Sequence, residues 1–142
     1  MERHNGVRSL LVLVGAMALA SGHALGAASS AVDPLESAKA AIRVKEYGRA
    51  AGDLEREAAK GNKEAQYLLG TFALNGLVTD RDVAKARMWF EKAATNGHAR
   101  AAYSLAALLA SADPPDVAGA QKWLAKSQAL GLEVAQRTQA RG

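Results

Sequence analysis

A repeat constrains this chain more than any other feature. Gly61 and Gly97 stand 36 residues apart, and Gly97 and Gly131 stand 34 apart. Between them Ala65 recurs as Ala101, Tyr67 as Tyr103 and Leu69 as Leu105. Ala86 recurs as Ala120, Trp89 as Trp123 and Lys92 as Lys126. Self-similarity at a period of roughly 20–50 residues marks stacked units, each unable to bury its apolar face alone. The core of such a chain is assembled between neighbouring units.

The residues available for that core are small. Hydrophobic residues make up 49% of the chain and aromatics only 5%. Alanine and leucine therefore supply most of the apolar surface. Both are strong helix formers, and alanine lets helix axes approach closely. The apolar positions follow helical spacing. Leu35, Ala38, Ala41 and Ile42 share a face of a first helix, expected from Pro34 to Lys45 with Asp33 before it. A second, from about Gly48 to Lys60, carries Ala51, Leu54 and Ala58 and stops at Gly61. A third, Lys63 to Asn75, buries Ala65, Leu68, Leu69, Phe72 and Ala73 and closes at Gly76. Asp82 reads as the N-cap of a fourth helix, with Val83, Ala86, Phe90 and Ala93 inward and Trp89 alongside. A fifth, Ala99 to Ala110, buries Ala101, Leu105, Leu108 and Leu109. Pro114-Pro115 breaks the chain and Asp116 caps a sixth helix with Val117, Ala120, Trp123 and Leu124 inward, ended by Gly131. Residues 132–140 read as a short seventh helix with Leu132 and Ala135 inward. With about two and a half units, where at least ~3 are usually needed, the chain is expected to be a marginal monomer or one steadied by a partner.

Residues 1–26 have a different character. Arg3 and Arg8 precede the uncharged run Leu10–Ala20, and a small-residue stretch ends at Ala24-Leu25-Gly26. A positive start, a short apolar run and a small-residue exit form the secretory pattern. The run is shorter than the roughly 20 residues a membrane span needs. Cleavage before Ala27 would leave residues 27–33 as a flexible lead-in to a repeat domain over 34–140. It would also remove Glu2, Arg3 and Arg8, lowering the formal charge from +4 to +3. No stable membrane anchor would remain. The chain has no cysteine, which excludes a disulfide framework and a thiol nucleophile.

The central unit resembles the Sel-one-like repeat, a subfamily of the tetratricopeptide class. Ala65, Leu69 and Gly70 match its first helix. Gly76 and the run Asp82-Val83-Ala84-Lys85-Ala86 match its connection and second-helix start, and Trp89, Lys92-Ala93-Ala94 and Gly97 match the rest. The next unit departs at Ala106, where the family has glycine, and at Ser127-Gln128, where it has an alanine pair. Residues 38–61 look closer to the tetratricopeptide form. The resemblance implies an all-α fold, a right-handed α–α superhelix of antiparallel helix pairs. It also implies an adaptor that holds a protein or peptide on its concave face, with no chemistry and no cofactor.

By that analogy the concave face is lined by the first helix of each pair. Its outward residues would be Lys39 and Arg43 in the first pair, Glu64, Tyr67 and Thr71 in the second, and Arg100 and Tyr103 in the third. Tyrosine and arginine are favoured interface anchors. The bland alternative makes the tyrosines half-buried spacers and the charges a solvated face. His98, following a glycine and far from any acidic cluster in sequence, reads as an exposed loop residue rather than a metal ligand. Asp82 and Asp116 read as caps rather than paired carboxylates, and Trp89 and Trp123 as core. No phosphate loop, metal spacing, nucleophile motif or basic–aromatic stripe is present in the sequence, so no nucleic-acid partner is expected.

The leading expectation is a secreted or periplasmic helical-repeat interaction module. The rival is an envelope-associated hydrolase acting on cell-wall or β-lactam-like material, which the lack of cysteine disfavours. A third possibility is weak, salt-sensitive attraction of the positive chain to an acidic polymer or membrane surface.

Overall fold

The computed structural model describes residues 32–139, and all of their regular structure is helical. Six helices run in order: α1 (Pro34–Arg43), α2 (Tyr47–Ala59), α3 (Lys63–Asn75), α4 (Val83–Thr95), α5 (Ala99–Ala110) and α6 (Val117–Gln139). Each packs on its neighbour in sequence, giving the pairs α1/α2, α3/α4 and α5/α6. The expected all-α helical-repeat fold is what the described residues adopt. The signal segment 1–26 and residues 27–31 of the lead-in lie outside the described residues.

The boundaries are set by capping chemistry. Asn62 accepts from the Glu64 and Ala65 amides at 3.1 and 3.2 Å and starts α3. Asp82 accepts from the Lys85 amide at 2.9 Å and starts α4. Asp116 accepts from the Gly119 amide at 2.8 Å at the start of α6. Each contact satisfies one of the donors a helix leaves unpaired in its first turn. Gly61, Gly76 and Gly97 all take positive φ and end their helices. The repeat extends to the backbone: the Asp82 amide donates to Ala73 and, one unit on, the Asp116 amide donates to Leu109, both at 2.9 Å.

Two expected boundaries are corrected. α1 ends at Arg43 instead of Lys45, because Lys45 itself takes the left-handed turn at φ 64°. Gly131 does not end α6, which runs on to Gln139, so there is no separate seventh helix. The residues after Gly61 and Gly97, the glycines in the register of Gly131, explain the difference. Asn62 and His98 come directly after Gly61 and Gly97 and carry acceptors that start the next helix. Leu132 has none, so continuing the helix keeps its backbone bonds at a cost of about 1 kcal/mol for an interior glycine. The expected inward packing of Leu132 and Ala135 lies outside the described side chains.

The core is divided along α3. Ala38, Leu54, Ala65, Leu69 and Phe72 belong to one buried cluster, and Ala73, Phe90, Ala101, Leu105 and Leu109 to a second. Trp89 and Trp123 are half-buried rather than fully inside. Trp89 packs on the first cluster with the Lys92 ammonium 4.9 Å from its ring centre. Trp123 packs on the second with Lys126 at 5.2 Å. Val83, Val117 and Leu124, expected inside, are exposed. α5 covers Ala86 and Phe90 but leaves Val83 at the helix start in solvent, and no described element covers the α6 counterparts Val117 and Leu124.

The second cluster also explains why residue 70 lacks a side chain. A Cβ added to Gly70 would lie 2.6 Å from two ring carbons of Phe90, whose ring is fully buried. The next unit has Ala106 where the first has Gly70, and Leu124 where the first has Phe90. The extra methyl is matched by a smaller partner. Gly70→Ala is therefore expected to destabilise the protein by about 1–2 kcal/mol, overpacking outweighing the helical gain of alanine. Combined with Phe90→Leu it should cost less than the sum of the two single changes by about 1 kcal/mol. Urea unfolding of the three variants checks this, and strict additivity would show that the ring does not occupy that space.

Candidate functional site

A cluster of polar and aromatic groups converges where α3 meets the start of α5. His98 occupies the position that Asn62 holds one unit earlier and does the same work. Its Nδ1 accepts from the Ala101 amide at 3.1 Å. An amide can only donate, so Nδ1 carries no proton and the ring proton sits on Nε2. Nε2 lies 2.7 Å from Glu64 Oε2 and donates to it. The imidazole is stacked on the Tyr67 ring, with centres 4.5 Å apart and planes 17° apart. Tyr67 also lies against Phe90, and the Arg100 guanidinium sits 5.3 Å from its ring centre.

His98 is only 9% exposed, which overturns the expectation of an exposed loop residue. The signal was present in the sequence, since His98 stands one repeat after Asn62 and a ring nitrogen can replace an amide oxygen as a cap acceptor. Both imidazole nitrogens are committed to protein partners, so the ring has no lone pair left for a metal or for taking a substrate proton. Among the described residues no group of three or more His, Asp or Glu is placed to hold a metal ion.

A second polar bridge was not foreseen. Gln66 is buried, donates to the Ala58 carbonyl at 3.2 Å and accepts from Asn96 Nδ2 at 2.9 Å. It ties the ends of α2, α3 and α4 together. Glu64–His98 and Gln66–Asn96 are spaced two residues apart on both sides, so α3 reaches the turn before α5 by a paired latch. Buried polar groups with both partners in place fix one register, because any slip leaves them unsatisfied.

The residues expected to form a binding face have unequal surroundings. Glu64, Tyr67 and Arg100 are brought together around His98. Thr71 is half-buried, and its hydroxyl donates to the Tyr67 carbonyl at 3.2 Å, within its own helix. Lys39 is half-buried and bonds Glu36 at 3.0 Å. Arg43 is exposed at the end of α1. Tyr103 is exposed on α5, so it does not copy the packed environment of Tyr67.

α3, its connection, α4 and the cap of α5 together make one complete unit. Residues 63–98 match the family model of the Sel1 repeat. The chain carries a Sel1 repeat. Sel1 repeats are helical modules that generally mediate protein–protein interaction. The matched Sel1 unit ends on His98, the residue that caps the first helix of the following pair. No curated protein and no solved structure matches the chain.

Proposed function

We propose that the protein is a secreted or periplasmic, non-enzymatic interaction module that holds a peptide or protein segment along the face of α1, α3 and α5. The observation that carries this reading is the latch of Glu64, Tyr67 and His98. It locks α3 and the start of α5 in one register and presents Arg100 and Tyr103 on a rigid frame. A preformed face saves the ordering cost that a flexible one would bring to binding. The charged start and apolar run before Ala27 support export.

Two measurements test the two halves. Capture from an envelope extract is expected to fall when Lys39→Glu and Arg43→Glu are combined, because both replace a cation on the face with an anion. The Lys39–Glu36 pair is partly solvated and worth little to folding, so the variant should remain folded. Undiminished capture by the folded variant would reject the face. Mass spectrometry of the exported protein should give a chain beginning at Ala27, and recovery of an intact chain from the cytoplasm alone would reject export.

A further inference from the structure

We propose that the groove between α5 and α6 is a docking site for an amphipathic helix of a partner protein, bearing an alanine–leucine stripe and a carboxylate at its N-cap. This surface shares Arg100 and Tyr103 with the α1–α3–α5 face proposed above but is otherwise built from the α5/α6 groove, and it does not involve Lys39 or Arg43.

The chain contains an occupied copy of the same groove. Between α3 and α4, Ala86 and Phe90 are buried and Tyr67 packs beside them, and the element seated there is α5 through Ala101, Ala102 and Leu105. One unit later the register sets Ala120 for Ala86, Leu124 for Phe90, Tyr103 for Tyr67 and Ala106 for Gly70. No described helix does there what α5 does for α3/α4. Tyr103 is 61% exposed and Leu124 39%. These residues, with Ala106, Ala110 and Ala120, line an apolar groove of about 330 Å³. It continues an interface that the chain itself has already built once.

The charges specify the occupant further. In the filled groove the receiving unit offers Glu64 and the incoming helix offers His98 at its cap. At the position of Glu64 the last unit has Arg100. The complementary cap residue on the incoming helix is therefore an aspartate or glutamate. A carboxylate there also accepts first-turn amides and sits favourably at the positive end of the helix. Tyr103 would lie under that cap as Tyr67 lies under His98.

A second copy of this chain fits less well. The helix it would insert is α1, which places Glu36, Ser37 and Ala40 at the turn positions where α5 has Ala101, Ala102 and Leu105. That insertion would bring a glutamate and a serine into an apolar groove.

The probe is a labelled synthetic peptide of residues 97–111 carrying His98→Asp, titrated against the full chain by fluorescence anisotropy. Saturable binding is expected, weakened at least tenfold by Leu124→Glu in the protein. Leu124 is partly exposed, so an unchanged circular dichroism melt confirms that this variant folds. The unsubstituted peptide should bind several-fold more weakly, and Arg100→Glu in the protein should reverse that preference. Binding unaffected by Leu124→Glu would overturn the proposal, since the peptide would then be replacing α5 in its own groove. Absence of binding would overturn it too. So would self-association of the full chain that Leu124→Glu abolishes, which would give the groove to a second copy. Lys39→Glu with Arg43→Glu should leave peptide binding unchanged, so the two proposals fail separately.

Discussion

Phe90→Ala is expected to destabilise the protein by about 3–5 kcal/mol, the cost of removing a large buried ring and leaving a cavity. Phe90 is among the largest fully buried side chains and is the point where α3, α4 and α5 meet. A native domain is stable by only ~5–15 kcal/mol, so this one change removes a large part of the total. Leu124 occupies the same register one unit later and is 39% exposed. Leu124→Ala should cost less than about 1 kcal/mol, as changes at exposed positions usually do. Urea unfolding of the two variants side by side measures the contrast. Equal costs would mean that the two units are buried alike, which the structure denies.

His98→Ala is expected to cost about 2–3 kcal/mol. The cap bond to Ala101 contributes about 1 kcal/mol. The stack on Tyr67 contributes about 0.5–1.5 kcal/mol, and Glu64 loses its bonding partner at the same time. His98→Asn should recover roughly half of the loss, because asparagine restores the cap as Asn62 does on α3 but offers no ring to Tyr67. Thermal unfolding of the three proteins reads this order directly. A loss below about 0.5 kcal/mol for the alanine variant would remove His98 from the inter-repeat latch.

Features fixed by one helix or one turn were legible in the sequence. Asp82 and Asp116 cap as expected because an aspartate before an apolar period has one strongly favoured local use. Gly61, Gly76 and Gly97 end helices because the next residues let the chain restart or turn. Gly131 stands in the register of Gly61 and Gly97 but misled because its successor is Leu132, where theirs are the capping residues Asn62 and His98. The expected burial of Ala101 and Leu105 held, whereas that of Val117 and Leu124 did not. Leu124 shares its register with the buried Phe90, and the difference lies in whether another helix covers the groove, whereas Val117, like Val83, is exposed at its helix start. His98 was misread for a related reason. Its partners Glu64 and Tyr67 are more than 30 residues away, and only stacking brings them to it. Gln66, buried between Ala58 and Asn96, was unreadable on the same ground. The proposed binding face was legible only as a set of positions, since the spacing that places Tyr67 and Tyr103 in one row does not tell which of them has a neighbour to pack on.

The repeat stack requires α5 to be seated in the groove of the preceding pair, with Phe90 over Gly70 and His98 over Tyr67. A nuclear Overhauser spectrum of the folded chain tests this most directly. It should show cross-peaks from the Phe90 ring to the Gly70 α protons, and from the Tyr67 ring to the His98 imidazole. A well-dispersed, fully helical spectrum lacking both sets would contradict the stacking on which every functional proposal above depends.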